Sequence, residues 1–149
     1  MFTISLFEPQ IPPNTGNIAR LCAATDCRLE IIGNIGFKLT DKYLKRAGLD
    51  YWKYVNWEYY PDIEEYVSNL EQKRIHLLTT KSEVSYTKRE FSAGDYLIFG
   101  SETKGISEIY RNRFSDRCCT IPMKNPGIRS LNLSSSVAIV LYEALRQSS

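Results

Sequence analysis

The sequence predicts an α/β domain with a mostly parallel sheet and helices on both faces. Short β-prone runs alternate with helical patterns from one end of the chain to the other. The 149 residues suit one domain, since a chain of this size buries roughly two-thirds of its unfolded surface around one core. No linker, repeat or low-complexity stretch divides it, so residues 1–149 are expected to form a single domain.

The first strand spans residues 2–7. Pro12 and Pro13 stop it, and Asn14 or Thr15 is positioned to cap a helix running to about Thr25. Within that helix Ile18, Leu21, Cys22 and Thr25 share one face, with the spacing of a buried stripe. Asn17, Arg20 and Ala24 share another. Residues 28–32 form the second strand, and 41–46 start a short helix that Gly48 ends. A weaker third strand covers 53–58, and Asp62 caps a helix to Leu70. Strands follow at 74–79, 96–99 and 118–121, and residues 131–146 make the closing helix. In that helix every residue from Val137 to Tyr142 is apolar or aromatic. Such a helix is buried on more than one side, either inside the monomer or against another subunit.

Composition narrows the function classes. No apolar run reaches the roughly 18–20 residues that span a bilayer, and Met1 to Glu8 lacks the basic start and small-residue cleavage site of a signal peptide. A cytoplasmic protein is expected. Net charge is only +2, so an RNA partner would require local clusters of cations. Lys42-Lys45-Arg46, Lys88-Arg89 and Arg111-Arg113-Arg117 qualify, although any one of them also reads as a solvated face. The four cysteines are Cys22, Cys27, Cys118 and Cys119, and the single histidine is His76. Neither the four-residue gap of the first pair nor the adjacency of the second suits a zinc site, so no metal is expected. Buried free thiols in a reducing compartment are.

Ligands of open α/β sheets bind beyond the carboxyl ends of the strands. Three segments there are rich in small or polar residues: Leu78-Thr79-Thr80-Lys81, Gly100-Ser101-Glu102-Thr103-Lys104-Gly105, and Ile121-Pro122-Met123 continuing to Arg129-Ser130-Leu131-Asn132. The glycine loop is neither a dinucleotide fingerprint nor a P-loop, since Ile106 stands where the latter needs Lys. Alone, it reads as a plain turn or a close backbone approach to a ligand. Ser130 or Asn132 reads as a cap of the closing helix. The absence of G-x-G-x-x-G after the first strand argues against a nicotinamide-dependent dehydrogenase.

Taken in order, these segments resemble one family. The run from Glu8 through Asn14-Thr15-Gly16-Asn17-Ile18-Ala19-Arg20 to Cys22 is similar to the first motif of the YibK/TrmL group of SPOUT methyltransferases. Arg46-Ala47-Gly48-Leu49-Asp50-Tyr51 matches a further run typical of that group. The stretch from Gly100 to Gly105 resembles its second motif. Ile121-Pro122-Met123 with Arg129-Ser130-Leu131-Asn132-Leu133-Ser134 resembles its third.

The resemblance implies a deep trefoil knot at the carboxyl end, forming an S-adenosyl-L-methionine pocket, and a homodimer with its active site at the subunit interface. It implies 2′-O-ribose methylation of cytidine or uridine 34, the wobble nucleotide, in leucine tRNAs. Alternatives are another tRNA or ribosomal RNA position, or a nonenzymatic RNA- or cofactor-binding dimer. Carried over, the cofactor contacts are Leu78, Thr79, Gly100, Glu102, Gly105, Ile121, Met123, Ser130 and Leu131. The positions implicated in catalysis or RNA placement are Asn14, Arg20, Glu102, Ser130 and Asn132. The chain departs from the pattern at Ser101, where many relatives have Pro, and at Lys104, where many have Arg. It departs again at Asp26-Cys27, in place of a Gly-aromatic pair, and in the loop between Met123 and Arg129, which is a residue longer than in some relatives. Asp26 still tolerates the left-handed backbone that a helix end there requires.

Overall fold

The computed structural model describes residues 1–39 and 51–149. The helix expected at 41–46, the cluster Lys42-Lys45-Arg46 and residues 46–50 of the second matching run lie outside the described residues. Six strands form one sheet: β1 (Thr3–Phe7), β2 (Arg28–Ile32), β3 (Asn56–Tyr60), β4 (Ile75–Leu78), β5 (Tyr96–Phe99) and β6 (Cys118–Cys119). Their order is β3-β2-β1-β5-β4-β6, and every ladder is parallel. Helices α1 (Pro12–Thr25) and α4 (Leu133–Ser148) cover one face. Helices α2 (Ile63–Leu70) and α3 (Glu108–Arg113) cover the other.

Covering both faces explains the strand composition, because parallel strands buried on both sides have no polar face to offer water. All five residues of β1 are buried. Ile4 and Leu6 face α1 and α4, where Ile18, Cys22, Val137, Val140 and Leu141 meet them. Phe7 faces α2 and α3, with Ile32, Tyr66, Val67 and Tyr110. The fully buried Ser5 of β1 has a partner on that side: its Oγ lies 2.6 Å from Tyr66 Oη, which donates to Glu30 Oε1 at 2.6 Å. Arg28 Nε donates to the second oxygen of Glu30 at 2.6 Å, so this buried carboxylate is fully paired.

Several element ends differ from expectation. Neither Asn14 nor Thr15 caps α1. The helix begins at Pro12, with Ile11 in the cap position and no side-chain cap. Pro12 and Pro13 preset φ and remove two of the N–H groups that a cap would otherwise satisfy. The other end matches the reading: Asp26 takes the left-handed conformation at φ 56°, and Cys27 N donates to Cys22 O at 3.0 Å. Trp52–Tyr54 form a 3₁₀ turn, so β3 starts only at Asn56 and runs to Tyr60. β4 is a residue shorter at each end than expected. β6 stops at Cys119 because Thr120 turns to the segment beside β4: its N donates to Val84 O at 2.7 Å and its O accepts from Tyr86 N at 2.8 Å. α3 was not anticipated; six residues are too few for periodicity to reveal. Asp62 caps α2 as predicted, accepting from Glu65 N at 3.2 Å.

Helix α4 is not enclosed by its own monomer. Val137, Val140 and Leu141 are fully buried, yet Ile139 and Tyr142 are 37% and 55% exposed. The monomer therefore covers one side of this helix only. All four cysteines are buried free thiols, and burial pushes the Cys119 thiol up to about 12. Among the described residues no helix is long and apolar enough to cross a membrane, and no group of three or more His, Cys, Asp or Glu side chains is placed to hold a metal.

His76 on β4 is buried and fully engaged. Its Nε2 lies 2.8 Å from Asp95 Oδ2, and Arg89 Nε donates to its Nδ1 at 2.9 Å. Nδ1 is thus an acceptor, and the ring is neutral. Burial pushes its pKa below the ordinary 6.5, outweighing the lift from Asp95, and the Arg89 charge adds to the fall. The unfolded chain then binds a proton near pH 6.5 that the folded chain refuses. Stability from this group is complete above that pH and is lost as pH falls below it. Thermal unfolding midpoints should drop between about pH 7 and about pH 5, and His76→Gln should flatten that part of the profile. An identical slope in the variant would refute the assignment.

Candidate active site

Three loops leave the carboxyl ends of β4, β5 and β6 side by side and enclose a cavity of about 740 Å³. The sheet topology changes direction beside it, between β1 and β5. The chain runs outward from β1 through β2 to β3, then returns to place β5 on the other side of β1. All nine residues predicted to contact a cofactor line this cavity: Leu78, Thr79, Gly100, Glu102, Gly105, Ile121, Met123, Ser130 and Leu131.

The loop after β5 has a backbone reason for both its glycines. A Cβ on Gly100 would stand 2.2 Å from the carbonyl carbon of Gly105 and 2.3 Å from the Ile106 nitrogen. The loop closes on itself through a Gly105 N to Ser101 O bond of 3.0 Å and a Lys104 N to Ser101 Oγ bond of 3.0 Å. Gly105 sits at φ 65°, in the left-handed region that side chains avoid.

Glu102 extends from that loop to the start of α1. Its Oε1 accepts from Gln10 N at 2.8 Å, and its Oε2 from Ile11 N at 2.9 Å and Asn14 Nδ2 at 3.2 Å. Asn14 Oδ1 in turn accepts from Asn132 Nδ2 at 3.1 Å. Asn132 also caps α4: its Oδ1 accepts from Ser134 N at 2.9 Å and Ser135 N at 3.2 Å. One amide thus holds two helix starts together. The sequence leaves Ser130 or Asn132 as the cap, and the structure selects Asn132.

Asn14, Glu102 and Asn132 therefore form one hydrogen-bonded set, and Ser130 lies in the adjoining cavity wall. Arg20 stands apart. It is exposed on the outer face of α1, with its guanidinium 4.9 Å from the centre of the Tyr51 ring, and does not line the cavity of its own chain. Sequence reasoning missed the Gln10 and Ile11 backbone donors, because main-chain groups leave no residue signature. Lys81, Lys104 and Arg129 belong to the three predicted loops but not to the expected cofactor contacts, and Arg111 reads only as part of a cation cluster; all four line the cavity. These four cations face the one carboxylate of Glu102. The cluster Arg111-Arg113-Arg117 does not act as a unit. Arg111 faces the cavity, Arg113 pairs with Glu71 at 2.7 Å, and Arg117 donates to Lys73 O at 3.3 Å elsewhere.

A parallel sheet with a mixed polar and apolar cavity beyond the carboxyl ends of its strands, closed by a glycine loop and lined by four cations, has the form of a small-ligand site. The chain belongs to the SpoU rRNA Methylase family, whose model matches residues 1–142. It is 47% identical over 148 residues to a protein of Methylovorus glucosotrophus named tRNA (cytidine(34)-2'-O)-methyltransferase, covering 99% of this chain and 96% of that one. A solved structure described as "Structural insights into the 2-OH methylation of C/U34 on tRNA" superposes with a TM-score of 0.93 at 39% identity, over 99% of this chain and 95% of that one. The SpoU methyltransferase AviRb of Streptomyces viridochromogenes, solved with the cofactor AdoMet, shares the fold with a TM-score of 0.84 at 24% identity, covering 97% of this chain and 59% of that one.

Proposed function

We propose that this chain is an S-adenosyl-L-methionine-dependent tRNA methyltransferase. It methylates the 2′-hydroxyl of cytidine or uridine 34, the wobble nucleotide, and leucine tRNAs are the expected substrates. It acts in the cytoplasm as a homodimer, with residues 1–149 as one catalytic domain and a trefoil knot in its carboxyl-terminal segment. The observation that carries this reading is the gathering of three separate loops and the Asn14–Glu102–Asn132 set around one cavity, in a chain 47% identical to a named wobble-position methyltransferase.

The cavity fits the cofactor. Its 740 Å³ lies within the roughly 300–1,000 Å³ of small-ligand sites. Leu78, Ile121, Met123 and Leu131 offer apolar walls, while Thr79, Glu102 and Ser130 offer hydrogen-bonding groups. Gly100 lets the loop backbone close where a side chain would block it. Bound there, S-adenosyl-L-methionine supplies an electrophilic methyl group.

The chain's own task is to make a ribose hydroxyl nucleophilic and hold it in line. Arg20 is assigned to stabilise the developing 2′-alkoxide, because a guanidinium keeps its proton in proteins and acts by charge. The 2′-proton leaves to water or an RNA phosphate. We place Arg20 at the partner subunit's cavity: in its own chain it faces outward on α1, and the exposed Ile139 and Tyr142 of α4 supply the apolar surface for dimer contact. Asn14, fixed through Glu102 and Asn132, orients the ribose. Holding reactants in this way is worth up to roughly 7–11 kcal/mol of the barrier.

The test is to incubate the protein with radiolabelled S-adenosyl-L-methionine and total tRNA from a host lacking the activity, then map the label by mass spectrometry. Methylated ribose at position 34 is the expected result. A 2′-O-methyl group elsewhere would overturn the substrate assignment while keeping the chemistry. No transfer despite cofactor binding would overturn both.

A further inference from the structure

At the end of the sheet away from the cofactor cavity, a second cleft of about 510 Å³ opens at the amino end of β4. Its cations are Lys73, Arg74, Lys88, Arg89 and Arg117, facing the carboxylates of Glu90 and Asp116, with Asp95 buried beneath. The local surplus equals the +2 net charge of the whole chain.

Only one of these charges is compensated. Arg74 Nε donates to Asp95 Oδ1 at 2.8 Å. Among the described residues no carboxylate lies within 4.0 Å of Lys73, Lys88, Arg89 or Arg117. Arg89 is nevertheless held rigidly. It donates to His76 Nδ1 at 2.9 Å, to Asp116 O at 3.2 Å and to Ile75 O at 3.4 Å, all neutral acceptors. Arg117 likewise spends a donor on the carbonyl of Lys73 at 3.3 Å. Bonds to carbonyls and a neutral ring fix where a guanidinium sits without cancelling its charge. Two of the five N–H groups of Arg89 remain for an outside acceptor. A fixed, uncompensated, forked cation flanked by exposed lysines is the arrangement that recognises phosphate oxygens.

We infer that this cleft is a second RNA contact, binding backbone phosphates of the tRNA substrate away from the target nucleotide. The inference rests on the tRNA reading above for the identity of the RNA. β4 separates the amino end lining the cleft, at Ile75, from the end lining the cofactor cavity, at Leu78, by roughly 10 Å at about 3.3 Å per residue. Contacts here therefore tether the substrate without touching the reacting atoms.

Lys73 and Lys88 are exposed, so the variant Lys73→Gln/Lys88→Gln should fold with an unchanged melting temperature and cofactor affinity. Binding of tRNA, measured by filter retention across a salt series, reports the contact without requiring methyl transfer. The expected result is a slope of log Kd against log salt that falls by about two, with a tenfold rise in KM for tRNA and an unchanged kcat. A wild-type slope and KM in the variant would overturn the inference. So would a variant that loses affinity for inorganic phosphate but keeps its affinity for tRNA. If the wild-type protein binds tRNA yet never methylates it, the catalytic reading fails while the slope comparison still judges the cleft.

Discussion

Gly100→Ala loses at least a hundredfold in cofactor affinity, measured by calorimetric titration, and methyl transfer falls with it. The added methyl group meets backbone, not a flexible side chain: the Gly105 carbonyl carbon at 2.2 Å, the Ile106 nitrogen at 2.3 Å and the Gly105 oxygen at 2.6 Å. Neither neighbour can rotate aside, so the loop must open. Opening breaks the Gly105 N to Ser101 O bond and shifts Glu102, which holds Gln10, Ile11 and Asn14. A loss of about 2.7 kcal/mol corresponds to the hundredfold change, within the range for overpacking a close contact. Gly105→Ala is the informative control. Nothing lies within 4 Å of its Cβ position, and the cost is conformational only, at φ 65°. That penalty is about 1–2 kcal/mol, so the loss there should be nearer tenfold. Equal affinities for Gly100→Ala and wild type would show that the ligand does not use this loop.

Arg20→Ala slows single-turnover methyl transfer by about a hundred- to a thousandfold, the usual range for removing one donor aimed at a developing oxyanion. Cofactor affinity stays as in wild type, because Arg20 is assigned to the ribose oxygen and is not among the nine cavity residues expected to hold the cofactor. Arg20→Lys separates two origins of the effect. A lysine keeps the charge but not the fork, so partial rescue indicates charge stabilisation and no rescue indicates bidentate placement. Mixing Arg20→Ala with a Gly100→Ala chain tests which subunit supplies the arginine. If it acts across the interface, one site in the mixed dimer regains both an intact loop and an intact arginine. Full activity of Arg20→Ala would remove this residue from the mechanism.

The strand order could not be read from residue patterns, but the strands themselves largely could. Apolar runs such as Ile75-His76-Leu77-Leu78 and Tyr96-Leu97-Ile98-Phe99 mark themselves by composition. Their neighbours in the sheet are set by crossovers that no local signal encodes. Element starts failed where a local rule had a competitor. Asn14 is a good cap by type, but two prolines had already begun the helix, which freed Asn14 to face Glu102 and Asn132. The cavity walls were legible because small and polar residues cluster after three strands. The hydrogen bonds joining them were not, since two of the three donors to Glu102 are main-chain groups.

The bond from Asn132 to Asn14 joins residues 118 positions apart, and the bonds from Glu102 reach back 88 to 92 positions. Contacts this distant close late, because the entropy of the intervening loop must first be overcome. During synthesis the β1–α1 segment emerges long before the residues that lock it. It can pair with β2 first and bond to Glu102 next, but the bond to Asn132 must wait until the amino end of α4 leaves the ribosome. The hydrogen-bonded set beside the cavity is therefore complete only in a late step, when Asn132 docks.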